Sequence, residues 1–195
     1  MMDLEKVPPS LQGVGKDLFR LMRDLAGGDH GLPARQKSGW WRAPAKGKVC
    51  LYLYFLGNHG RTKRPNSVRL TTLMDDELRK LPWVEEGNNW FGLPSADYYL
   101  RPDDPKARDR AEQFIRHAYR ARAVDLFAES AKDDTAIREF KGFAREVAAN
   151  TQRDVPAAHR IKELLKKVSG VAAQAIVDIF VNVASEAAKR ALLGP

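Results

Sequence analysis

Apolar residues recur at helical spacing from Ser10 to Leu25, where Leu11, Val14, Leu18, Leu21, Met22 and Leu25 fall on one side of a 3.6-residue period. Gly27 and Gly28 follow and end that helix. The pattern then changes. Gly39–Arg42 reads as a short strand containing Trp40 and Trp41, and Val49–Leu56 is apolar on both faces, as an inner strand is. A Gly-, Arg- and Pro-rich loop from Asn58 to Asn66 separates it from a strand over Val68–Leu73. Asp75–Leu81 reads as a short helix or turn, Pro82–Pro94 as a loop carrying Trp83, Asn88, Asn89, Trp90 and Phe91, and Ala96–Arg101 as a further strand.

From Asp103-Asp104-Pro105 onward the helical period returns and persists. That acidic pair followed by proline is a helix start, and the helix runs through Arg122 towards Ala131. Further helices are predicted over Thr135–Ala149, Pro156–Lys167 and Val171–Leu193. The order of elements gives an α+β protein: a small, mostly antiparallel sheet flanked by the helices Ser10–Leu25 and Pro105–Arg122, then an all-helical C-terminal region. The expected division is residues 1–124 for the α+β domain and 125–195 for a helical bundle or assembly region.

The residues that build the first part also carry a resemblance. The helix LFRLMRDL, the strand with Trp40-Trp41, the strand KVCLYLYF, the strand SADYYLRP and the helix DDPKARDRAEQFIRHAY follow one another in an order similar to that of a small bacterial α+β domain. That domain is found alone or appended to restriction-type and other DNA-related proteins. The insert from Gly57 to Pro94 departs from its pattern. The resemblance implies the fold and a loose association with nucleic-acid systems or defence against foreign DNA. It implies no reaction and no functional residues.

Composition adds one decisive feature. The chain has 195 residues and a net charge of +8, but the charge is unevenly spread. From His30 to Met74 there is no Asp or Glu, and the same window holds nine cations: Arg35, Lys37, Arg42, Lys46, Lys48, Arg61, Lys63, Arg64 and Arg69. The remainder of the chain sums to about −1. Clustered cations neutralise phosphates and release counterions, and aromatic faces stack on unpaired bases. Trp40 and Trp41 point to opposite faces of a strand, so one of them is expected to be exposed, whereas Tyr52 and Tyr54 are expected to lie under a helix cover as core.

Other chemistry is thin. The single Cys50 excludes a disulfide framework and a multi-cysteine zinc site, and fits a reducing compartment. The opening MMDLEKVPPS is not a signal peptide, and the most apolar stretch, Val168–Ala184, is too short and too interrupted to span a membrane, so a cytoplasmic location is expected. His59 reads as a loop histidine and His117 as a surface residue beside Arg116. No catalytic motif and no cofactor signature are present. Asp75, Asp76 and Glu77 form an acidic cluster that reads either as a metal site or as acids attracted to a helix start. The final helix has an apolar arc, including Val171, Ala175, Ile176, Ile179, Phe180 and Val183, broader than a one-sided helix needs, which reads either as packing into the chain's own helices or as an oligomer or partner interface.

The leading expectation is therefore a non-enzymatic nucleic-acid-binding protein, an accessory or defence-associated factor, with the nine cations on the phosphate backbone and Trp40 or Trp41 stacking. The alternatives are a protein-interaction or oligomerisation module acting through the C-terminal helices, and a metal-dependent nuclease built on Asp75, Asp76 or Glu77.

Overall fold

A computed structural model of the chain describes residues 9–25, 34–35, 40–45, 48–56, 67–90, 93–101, 103–149 and 152–194. Among these, several strand positions, 40, 42, 52 and 54 included, are described by backbone and register alone. The elements run α1 (Pro9–Leu25), β1 (Ala34–Arg35), β2 (Trp40–Ala45), β3 (Lys48–Leu56), β4 (Ser67–Leu73), a 3-10 turn (Leu78–Lys80), β5 (Glu85–Trp90), β6 (Leu93–Leu100), α2 (Ala107–Ser130), α3 (Asp134–Ala148), α4 (Asp154–Leu165), α5 (Gly170–Val183) and α6 (Glu186–Leu193). The protein is α+β with a helical C-terminal half. Two compact units divide it, Met1–Ala118 and Tyr119–Pro195.

In the first unit the six strands form one sheet in the order β1-β2-β3-β4-β6-β5, with every pairing antiparallel. Pro44, which has no N–H to give a ladder, sits where the β2–β3 register shifts. Two differences from the sequence reading concern the last hairpin. Residues 85–90 are a strand and not part of a loop, and β6 begins at Leu93. β6 lies inside the sheet and β5 at its rim. The sequence of β5, EEGNNW, has no alternating apolar residues, which suits an edge strand and conceals it from periodicity arguments.

Side chains alternate across the sheet. Leu53, Leu70 and Tyr98 share one register row, Val68 and Leu100 another, and all five are buried. Helix α2 covers this face: the Tyr98 ring lies 6.3 Å from that of Phe114, and the Tyr98 hydroxyl donates to the Ala107 carbonyl at 3.2 Å. Helix α1 buries Leu11 and Leu18, and its Asp17 meets Arg108 of α2 at 3.8 Å.

The second unit has an aromatic centre. Phe127 and Phe140 stack with centroids 4.2 Å apart, and Phe180 meets Phe140 edge-on at 6.0 Å. Asp133, Ser169 and Ser185 each cap the helix that follows. Ser185 is the surprise, because Val171–Leu193 reads as one helix. The backbone leaves the helical region at Ala184, and the Ser185 hydroxyl accepts from the Ala188 N–H at 3.1 Å while donating to the buried Asp154 carboxylate. The two short helices fold that apolar arc inwards. Ile176, Ile179, Phe180 and Val183, expected at an oligomer interface, are thus buried within the chain's own core. Ala175 is half-buried, and only Val171, at 85 % exposure, is open among that set.

Candidate functional site

The face of the sheet opposite α2 is polar, and it is the more informative one. Thr71, Ser95 and Asp97 are all buried on it, Asp97 at 3 % exposure. A buried carboxylate is costly unless it is paired and hydrogen-bonded. Asp97 Oδ1 accepts from Thr71 Oγ1 at 2.8 Å and from Ser95 Oγ at 3.4 Å, while Arg69 approaches Oδ2 at 3.8 Å. Thr71 stands directly opposite Asp97 in the β4–β6 register, so the ladder itself brings the pair together. Gly87 on β5 makes room for them: a Cβ there would fall 2.6 Å from Ser95 Oγ and 2.7 Å from Asp97 Oδ2.

Arg69 is thereby spoken for. Its side chain is only 14 % exposed, it serves the Asp97 carboxylate, and its guanidinium lies over the Tyr99 ring at 5.9 Å. This corrects its assignment as a phosphate contact. Two register rows cross this face. One joins positions Trp40, Tyr54, Arg69 and Tyr99, and the other Arg42, Tyr52, Thr71, Asp97 and Glu85. Positions 52 and 54 therefore share the register face of Asp97 and Tyr99. Trp41 falls in the row of Arg35, Leu53, Leu70 and Tyr98, on the other face from Trp40.

The described strands of the cation-rich window, β1 to β4, make up one half of the sheet. β1 to β4 are consecutive neighbours, so charge that is local in sequence stays local in space. Arg35 stands on β1, Arg42 on β2 and Lys48 on β3, whereas Glu85 and Glu86 stand on β5 at the far rim. Lys37, Lys46, Arg61, Lys63 and Arg64 lie outside the described residues, as does His59.

A cavity of about 440 Å³ opens at the end of β6, where the strand turns towards α2. Trp83, Tyr98 and Tyr99 supply aromatic walls, and Glu85, Arg101, Asp103, Asp104 and Arg110 supply charge. Trp83 meets Tyr98 edge-on at 5.0 Å, and the Arg110 guanidinium lies 5.9 Å from the Trp83 ring. Arg110 also bonds Asp104 Oδ2 at 2.7 Å. The Lys106 N–H, foremost, and Arg110 hold the Asp104 carboxyl below its ordinary range. Burial above all pushes the Tyr98 hydroxyl well up, so it stays protonated. Asp103 and Asp104, read from the sequence only as a helix start, thus line the mouth of a pocket.

The acidic cluster at the β4 exit is engaged in hydrogen bonds within the chain. His117, expected at the surface, is 9 % exposed and bonds Asp75 Oδ2 through Nε2 at 2.7 Å, with Nδ1 3.9 Å from Glu77. Asp75 Oδ1 also accepts from the backbone N–H groups of Glu77 and Leu78 at 3.0 and 2.9 Å. Burial alone would raise the Asp75 carboxyl, but these partners overcome it and hold the carboxyl down to about 2. Asp76 points outwards to Arg79. Among the described residues no group of three or more His, Cys, Asp or Glu is placed to hold a metal ion, and Asp75 and Glu77 instead tie a turn to α2. The link between positions 75 and 117 has no sequence signal, because it spans 42 residues.

Among the described residues no helix is long and apolar enough to cross a membrane. Comparison with known proteins gives no match to a protein-family model, a curated protein or a solved structure.

Proposed function

We propose that this protein binds nucleic acid without catalysing a reaction, gripping the phosphate backbone with the β1–β4 half of its sheet and the loops beside it. The observation that carries this reading is the segregation of charge along the strand order, cations on β1–β3 and carboxylates on β5. A polyanion is attracted to the first half and repelled by the second, which fixes its placement as well as supplying affinity. The role would be that of an accessory factor, and the resemblance of residues 1–124 to a domain found with restriction-type proteins favours handling of foreign DNA. Backbone contacts fall to Arg35, Lys37, Arg42, Lys46, Lys48, Arg61, Lys63 and Arg64, with Trp40 or Trp41 stacking on bases. Arg69 drops out, being committed to Asp97.

Fluorescence anisotropy with labelled single- and double-stranded oligonucleotides over a salt series tests the reading. The wild type should lose affinity steeply as salt rises. The variant R61E/K63E/R64E should bind at least tenfold more weakly, and its salt slope should be shallower by roughly one for each phosphate no longer neutralised. Binding that ignores both salt and the triple substitution would remove the proposal.

A further inference from the structure

An all-antiparallel sheet with an even number of strands has edges that run in opposite directions. The order β1-β2-β3-β4-β6-β5 puts β1 at one edge of the described sheet and β5 at the other, so β5 runs against β1. Alternate residues of an edge strand turn their N–H and C=O away from the sheet, where they can template a further strand. Glu85, Glu86 and Gly87 are laddered to β6 in unbroken register, so inward and outward backbone groups alternate along this part of β5.

The two edges also differ in charge. The stretch 34–48, which holds β1 and β2, has five cations and no acid. The stretch 75–90, which ends in β5, has five acids and two cations. Asp75 and Glu77 turn towards His117, whereas Asp76 and Glu86 are open to solvent at 91 % and 54 % exposure. Arg79 meets both, at 3.4 and 3.6 Å, but one half-exposed guanidinium divided between two surface carboxylates holds neither strongly.

Like charge on an edge strand opposes pairing of that edge with its own equivalent. A two-fold β5–β5 pair sets acids against acids, and a β1–β1 pair sets cations against cations. A β1–β5 pair joins opposite signs, so charge selects it over the other two. Strand direction permits it. A second copy whose β1 ladders antiparallel to β5 keeps the same strand direction as the first. Its α2-covered face then lies on the same side, turned only by the usual twist of about 20–25° per strand. Such a contact is heterologous. It leaves β1 open at one end and β5 at the other, and so repeats instead of closing. β1 is two residues long, so the ladder is short and salt should reverse the assembly.

We infer that the β5 edge takes the β1 edge of a second copy of this chain, extending the sheet head to tail from molecule to molecule. This does not depend on the nucleic-acid reading, and its test contains no nucleic acid. Sedimentation equilibrium of the full chain reads the mass at about 10 mM and about 1 M salt, where the Debye length is about 30 Å and about 3 Å. At low salt the average mass should rise with concentration past two chains. At high salt it should fall to that of one. E85K/E86K and R35E/K37E, each matching wild type in circular dichroism, should stay single at low salt. Mixed in equal amounts they should assemble again, since every β5 then meets a β1 of opposite sign. A wild type that remains single at low salt would overturn the proposal. So would a mass that stops at two chains, the mark of a closed pair. Assembly of either variant alone at wild-type strength, or none on mixing, would do the same. Each of these results leaves the oligonucleotide reading to be decided by its own salt series.

Discussion

Asp97 illustrates how single residues fix this fold. Its carboxylate is buried, yet it has two hydroxyl donors and a guanidinium from β4 and β6. Asp97→Ala would strip Arg69 of that counter-charge and leave the Thr71 hydroxyl unsatisfied, and should cost about 3–5 kcal/mol in urea unfolding, because breaking a buried pair exceeds its net worth when intact. Gly87→Ala pushes a methyl group against the same carboxylate and should cost about 1–3 kcal/mol. Asp75 makes a prediction in pH. Its carboxyl is lowered in the folded protein to about 2, so the stabilisation it provides is present above about pH 4 and is lost as the pH falls towards 2. The side chain is 37 % exposed, so the effect should be under about 1 kcal/mol after screening. The stability gap between wild type and Asp75→Asn, followed by urea unfolding, should hold from pH 7 to 5 and close by pH 2. A gap that widens on acidification would contradict this. The bonds of Asp97 to Thr71 and of Asp75 to His117 are not legible in the sequence, since only strand register or a helix crossing makes those residues neighbours.

At the scale of elements, periodicity served where burial is regular. Helices α1 to α4 and strands β3 and β4 carry clear apolar periods because each buries one face or both. It failed at β5, an edge strand of Glu, Gly and Asn stabilised by its ladder to β6 rather than by its own side chains. It failed again at the α5–α6 break, where Ala and Ser continue a helical pattern and only the hydroxyl's two bonds show that Ser185 is a cap. Ser185→Ala removes the cap and the Asp154 partner together, and should lower stability by about 1–3 kcal/mol. Ser185→Asp should restore the cap but set a carboxylate against Asp154, and so recover little. Equal stability of wild type and Ser185→Ala would show that packing alone sets this corner.

For the whole molecule, the most durable sequence signal was the charge distribution. The described part of the acid-free window lies on β1 to β4, a meander in which neighbours in sequence are neighbours in space. The cavity was illegible for the opposite reason, since its lining comes from the start of β5, the end of β6 and the first turns of α2. The central claim is that a polyanion lies on the β1–β4 half. Hydrogen-exchange mass spectrometry of the full chain, free and saturated with a single-stranded oligonucleotide at low salt, tests it most directly. The account predicts slowed exchange over residues 34–73, with residues 152–194 unchanged. Protection confined to the C-terminal helices, or none over 34–73 in a saturated complex, would contradict it.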